Sequence, residues 1–358
     1  MNHRYAIYLC CLFAWLLASP LQGARKKSFS SEEEANQYLV THYNLGADFY
    51  SREEWRKASN EFEKVIYFFP TSDAATEASF YLGICYYEIK EYDFANAEFS
   101  GYLKTSNHPE FFEEAIFYKY CIAKQLSEGF RRRPFKYRYF PKWIEGQSLA
   151  LEIYDEIAIT VPNHELAVCS LFSKAVLLQN MREYRESIDA YQIVIRRFPK
   201  HELTPESFLQ ISEAYYELSK LEFQNPDLLA LAELNARKFG EEFPRDERVE
   251  CAENYAQKIK EVNAMGLCSV GQFYERTSYP GSAAIYYQCA IEEFPDTKVA
   301  KYCRRRLNKM DYAFNEQEPE QEPVPIPLDQ EQPNPGPIEL DPQMMDEEKG
   351  FPDTPFDW

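Results

Sequence analysis

Small, aromatic and proline residues recur at fixed offsets along this chain, and that spacing constrains the fold more than any other feature. Within the stretch from Ala264 to Pro295, counting from Gly271, an aromatic falls at +3 (Tyr274), alanine at +12 (Ala283), an aromatic at +16 (Tyr287), a small residue at +19 (Ala290) and proline at +24 (Pro295). The spacing predicts a helical hairpin. Gly271 lets a second backbone approach the first helix, Ala283 does the same from the facing helix, and the Tyr287 ring fills the space between them. Pro295 stops the second helix because its ring cannot continue one. Gly46, Phe49, Ala58, Phe62, Val65 and Pro70 repeat every position. Gly83, Tyr86, Ala95, Phe99 and Tyr102 repeat it 37 residues later, with Asn107 in the proline position, and Ala175, Leu178, Ser187, Tyr191, Val194 and Pro199 repeat it again. Two further units carry insertions between their helices: Tyr120 and Ala123 lead to Ala150, Tyr154, Ile157 and Pro162, while Ser212 and Tyr215 lead to Ala232, Ala236, Phe239 and Pro244.

Six units result, and they resemble the tetratricopeptide repeat, whose units of about 34 residues stack on one another. The resemblance implies an all-α fold, a right-handed superhelical solenoid of about six hairpins over residues 30–310. A solenoid spreads its apolar surface along an axis rather than in one core. Ser28 to Glu34 reads as a helix start, with Ser30 and Glu33, or Ser31 and Glu34, placed as a capping box. A second start is expected at Thr204-Pro205-Glu206. From Asp246 to Tyr274 the helical pattern outruns one repeat helix, and the final helix, Thr297 to about Phe314, carries Lys298, Lys301, Arg304, Arg305, Arg306 and Lys309 as a polar closing face.

The two ends differ from the body. His3 and Arg4 precede an apolar run, Tyr5 to Ala18, followed by Ser19, Pro20 and a small-residue exit at Gly23-Ala24. That layout is a secretory signal peptide over residues 1–23, too short in its apolar part to span a bilayer. Residues 316–358 hold ten of the chain's 22 prolines and thirteen acids against one lysine, so about -12 of the net charge of -19 lies there. Such a segment reads as disordered, with Phe351 to Trp358 as a candidate docking motif. After the leader, Cys85, Cys121, Cys169, Cys251, Cys268, Cys289 and Cys303 remain, singly placed on predicted helices. They read as small core residues, with Cys268 and Cys289, on facing helices, as the one pair placed for a disulfide.

Candidate partner-binding residues fall in two places. Tyr43, Tyr50, Phe80 and Tyr87 exceed what packing inside the first two hairpins needs and occupy first-helix positions expected to face a groove. Rings there grip a peptide or pad neighbouring units. The insertion from Gly129 to Gly146 interleaves Arg131, Arg132, Arg133, Lys136, Arg138 and Lys142 with Phe135, Tyr137, Tyr139, Phe140 and Trp143. In an acidic protein this loop can dock an acidic partner, lie against anionic lipid as a peripheral contact, or fold back on its own body. The overall negative charge argues against nucleic acid. No glycine-rich phosphate loop, nucleophile elbow or histidine metal pair occurs, so neither enzyme chemistry, a cofactor, a metal nor a small-molecule substrate is expected.

Two phrases add a closer resemblance. Glu91 to Lys124, with its histidine-proline at 108–109, and Ser269 to Lys301 are similar to the outer-membrane assembly lipoprotein family BamD (YfiO), and the insertion after Gly129 sits where that family carries one. The likeness spans roughly residues 30–310. It implies a periplasmic scaffold, associated with the outer membrane, that receives substrate or partner segments and contacts a β-barrel insertase. The family's tethering cysteine has no counterpart here, since Cys10 and Cys11 lie inside the leader, and six units stand where the family has five. Another exported adaptor, coordinating envelope or division processes, and a cytosolic chaperone with an uncleaved start remain the alternatives.

Overall fold

The computed structural model describes residues 29–105, 109–133, 141–222 and 225–314, with backbone alone for 311–314. The expected leader and the acidic tail therefore lie outside the described residues. Thirteen helices and one two-stranded sheet make up the described chain, which forms two compact units, one up to Ala150 and one from Leu151.

In the first unit, α1 (Glu32–Ser51) and α2 (Trp55–Phe68) form one hairpin and α3 (Asp73–Glu88) and α4 (Tyr92–Thr105) the next, followed by α5 (Phe112–Ser127). The glycine rule holds in three dimensions. A side-chain carbon built on Gly46 would lie 2.7 Å from the Phe62 ring, and one on Gly83 would lie 2.8 Å from the Phe99 ring. Only a bare backbone lets these rings seat. Each is shut off from solvent, and burying such a ring contributes about 1.5–3 kcal/mol.

The start of α1 is capped as expected by the second of the two options. Ser31 Oγ accepts from the Glu34 amide at 3.2 Å, and the Glu34 carboxylate reaches back to the Ser30 amide at 2.8 Å. Ser72 does the same for α3, accepting from the Ala75 amide at 3.1 Å.

The second unit takes up most of α6 (Gln147–Thr160), then α7 (Glu165–Asn180), α8 (Tyr184–Arg197), α9 (Leu203–Leu221), α10 (Pro226–Glu242), α11 (Arg248–Arg276), α12 (Pro280–Glu293) and α13 (Lys298–Phe314). The expected start, with Pro205 as the first helical residue, lies two residues late: the helix begins at Leu203, Thr204 is buried with its hydroxyl donating to the Phe198 carbonyl, and His201 Nδ1 accepts from the Leu203 amide at 3.1 Å. The long helix is real: α11 runs unbroken for 29 residues, packing on α9 and α10 with one part and on α12 with the other. Tyr287 seats on Gly271 as predicted, 2.8 Å from where a side-chain carbon would stand.

Four hairpin turns share a feature the spacing rule did not contain. Glu53, Lys90, Arg182 and Ser278 all adopt left-handed backbone, φ 60–66°. Each lies seven residues after the small residue that opens its unit. None is glycine.

The cysteine expectation needs correction. Cys268 is buried beside Cys303 of α13, with which it shares a hydrogen bond, while Cys289 stands partly exposed, and all seven described cysteines are free thiols. The Cys303 thiol and burial together push the Cys268 thiol well up. The pairing differs because α13 closes over α11 as well as α12, so the α11 face that carries Cys268 meets the third helix.

Seating of the ring on glycine is testable. Gly83→Ala should lower stability by about 1–3 kcal/mol in urea denaturation, because Phe99 must move. Gly101→Ala, where nothing lies within 4 Å of the added carbon, should be neutral or stabilising through helix propensity. Equal effects at the two positions would show that the ring is not held by the bare backbone.

Candidate partner-binding surface

The partly open aromatics of the first unit form a band along α1, α3 and α5. The rings of Tyr50 and Tyr81 lie 5.1 Å apart, centre to centre, and those of Tyr87 and Tyr118 lie 5.3 Å apart. Tyr43 hydrogen-bonds Glu77, whose carboxylate is also close enough to act on Tyr81. Three of the four expected rings, Tyr43, Tyr50 and Tyr87, are in this band. Phe80 is not. It is only 4% exposed, stacked on Phe111 at 4.6 Å and tilted against Tyr102 at 5.3 Å, so the chain leading into α5 covers it.

Tyr81 and Tyr118 were not anticipated, although both stand two residues before the position that opens their unit. Recurrence at that offset would have found them.

Burial sets the chemistry of the band. The Tyr50 phenol is pushed up to about 12 by desolvation first, then by Tyr118, Cys85, Tyr81 and Glu88. Tyr87 is likewise pushed up to about 12, by desolvation and then by Cys121, Tyr92, Glu88 and Tyr118. Tyr43, Tyr81 and Tyr118 are raised by the same leading cause. The hydroxyls are therefore neutral and able to donate, and Glu88, exposed among them, adds negative charge. Such a surface suits a segment with apolar and cationic side chains, since aromatic faces attract both.

At the insertion, the structure favours the reading in which the loop folds back on its own body. Arg131 and Arg132 form strand β1, which pairs antiparallel with β2, Ile144 and Glu145, in the register Arg131 to Glu145 and Arg132 to Ile144. Arg133 pairs with Glu91, and its amide donates to Asp93 at 3.1 Å. Lys142 donates to the Lys90 carbonyl at 2.6 Å and lies 3.4 Å from Glu91. Phe130 packs edge-on against Tyr92 at 5.2 Å. The loop base is thus tied to the turn between α3 and α4. Arg133 is spent on that tie, whereas Arg131 is exposed and Trp143 is 65% exposed. Tyr137 and Tyr139 lie outside the described residues.

Among the described residues no cluster of three metal-ligating side chains occurs, and no helix is long and apolar enough to cross a membrane.

The phenol shifts give a pH signature. A phenol whose folded pKa exceeds its unfolded value of about 10 contributes stability that is whole below pH 10 and is lost as pH rises toward 12. Thermal stability should therefore fall from pH 10 upward, and in a tyrosinate absorbance titration Tyr50→Phe should remove amplitude near pH 12. Loss of amplitude near pH 10 instead would show an open, solvated ring.

Comparison with known proteins places a family name on one hairpin. Residues 170–201 match the model of the tetratricopeptide repeat. No curated protein matches the chain. Among solved structures, the MamA protein shares 13% identity, with 60% of this chain and 94% of that one covered and a TM-score of 0.35. A tetratricopeptide repeat protein from Parabacteroides merdae shares 11% identity over 75% and 99%, at a TM-score of 0.33. YrrB, described as a tetratricopeptide protein with an unusual peptide-binding site, shares 16% identity over 64% and 99%, at a TM-score of 0.34. The matched stretch runs from within α7 through α8, where Ser187 donates to the Ala175 carbonyl at 2.9 Å and Tyr191 is fully buried. The likeness to a tetratricopeptide repeat thus falls on this one pair of helices.

Proposed function

We propose that the chain is a non-catalytic repeat scaffold that holds a segment of a protein partner along the tyrosine band of the first unit. We further propose that it does so in the periplasm, at the outer membrane, in the assembly and insertion of β-barrel proteins. The binding half rests on one observation: Tyr43, Tyr50, Tyr81, Tyr87 and Tyr118 stay partly open on first helices, whereas Phe62 and Phe99, on the second helices, are sealed. Tyrosine offers large contact area at low rotamer cost together with a neutral donor.

The envelope half is supported by the likeness of Glu91 to Lys124 and Ser269 to Lys301 to the BamD family and by the leader-like residues 1–23. The first of those phrases opens with Glu91 and Asp93, the acids that hold the insertion. A partner contact through Arg131 and Trp143 would then use a loop already fixed at its base. Another exported adaptor of the envelope is the second reading.

Affinity purification of the tagged protein from detergent-solubilised envelope, with mass spectrometry of its partners, tests both halves. A β-barrel insertase should be enriched, and Tyr50→Ala with Tyr87→Ala should cut recovery at least ten-fold while circular dichroism stays unchanged. Recovery of wall or division proteins without any barrel component would replace the outer-membrane reading. Undiminished recovery by the double variant would remove the tyrosine band as the site. N-terminal sequencing should find the mature chain starting near Ala24, and an intact Met1 would overturn the export reading.

A further inference from the structure

The last described helix presents an exposed basic face. α13 turns Val299, Cys303 and Met310 into a core shared with Cys268, Ala283 and Tyr287. On its other side Lys298, Lys301, Arg304, Arg305 and Lys309 are exposed, spaced three and four apart and so on one helix face. Lys298, Lys301, Arg304 and Lys309 form no ion pair with any described residue. Two acids that do reach the helix are engaged elsewhere on it: Glu275 holds Arg306 at 2.7 Å, and Glu261 accepts from the Lys298 and Val299 amides at 2.7 and 3.3 Å.

The cations do not serve the helix itself. Lys298 and Lys301 sit in its first turns, whose amides Glu261 of α11 already meets and where the positive end of the macrodipole disfavours positive charge. A face charged against its own helix needs another explanation, and the chain supplies one immediately downstream.

We propose that the acidic segment Glu316–Glu322 folds back and docks along this face of α13. The segment carries Glu316, Glu318, Glu320 and Glu322 and no cation, with Pro319 within it and Pro323 directly after it. From Lys309 back to Lys298 the face is roughly 17 Å long at a helical rise of ~1.5 Å per residue. Proline-rich chain advances ~3.1 Å per residue, so about six residues retrace it, and acids at alternate residues then recur every ~6 Å. Cations four apart on the helix also recur every ~6 Å. Direct attachment raises the effective concentration into the millimolar range, which favours this occupant over a free acidic protein or an anionic membrane. Docking would neutralise the exposed end of the second unit, the place where a repeat array needs a solvated cap.

Zero-length carbodiimide crosslinking of the full-length protein, read by peptide mass spectrometry in a mixture of isotopically light and heavy chains, tests this. At low salt, crosslinks should join Lys298, Lys301 and Lys309 to Glu318, Glu320 and Glu322, within one chain, and fall at least five-fold at about 500 mM salt through screening. Lys301→Glu with Arg304→Glu should reduce the crosslinks at Lys298 and Lys309 at least five-fold with unchanged circular dichroism. If that variant misfolds, replacing Glu316, Glu320 and Glu322 by Gln should give the same loss, read at Glu318. Crosslinks spread evenly over lysines elsewhere, crosslinks between light and heavy chains, no crosslinks to α13, or crosslinks indifferent to both sets of substitutions would each overturn the proposal.

Discussion

An aromatic ring seated on a bare stretch of helix backbone is the contact on which three of the described hairpins depend. At Gly46, Gly83 and Gly271 the ring from the facing helix comes so close that a single methyl group would collide with it. The contact fixes the distance between the two helices and also their register, because a ring finds its seat at only one turn. With each pair locked at its own centre, neighbouring pairs can meet through their remaining apolar faces, as Ala175, Tyr191, Ile211, Tyr215 and Ala232 do in the second unit. The pair formed by α9 and α10 solves the same problem one turn later. There Ala236 stands at the ring position and Phe239 carries the ring, stacked on Phe208 at 5.2 Å.

Sealing the rings of the second helices leaves the first helices to decide what solvent sees. In the first unit they show phenols that are desolvated enough to stay neutral yet open enough to touch a partner, with Glu77 and Glu88 among them. The insertion stands on the same unit, and its charges divide into two kinds. Arg133 and Lys142 are consumed in holding the loop base to Glu91, Asp93 and the Lys90 carbonyl, while Arg131 and Trp143 face outward. A run of basic residues that looks uniform in sequence is therefore partly scaffold and partly surface.

Spacing carried the helical pairs because the glycine, ring and proline positions each answer to a steric rule that acts within about 25 residues. It missed what arises between distant parts. Nothing near Phe80 says that Phe111 will cover it, and nothing near Cys268 says that α13 will bring Cys303 to it rather than α12 bringing Cys289. Arg133 meets Glu91 across 42 residues, a separation at which no periodicity informs. The left-handed turns were hidden for a different reason. Glu53, Lys90, Arg182 and Ser278 hold a backbone conformation that usually announces itself through glycine, and here the flanking helices impose it on ordinary residues.

The unbroken run of α11 changes how this end of the chain can come apart. In a repeat array each hairpin interacts with its neighbours through separate interfaces, so opening can begin at an end and proceed one unit at a time. α11 abolishes one of those boundaries. Its backbone hydrogen bonds continue from the part packed on α9 and α10 into the part packed on α12, so the last hairpin cannot unzip without breaking a helix that the preceding pair still holds. Unravelling from the C-terminal side is thereby concerted over α11, α12 and α13, and this end behaves as one cooperative block about twice the size of a single repeat.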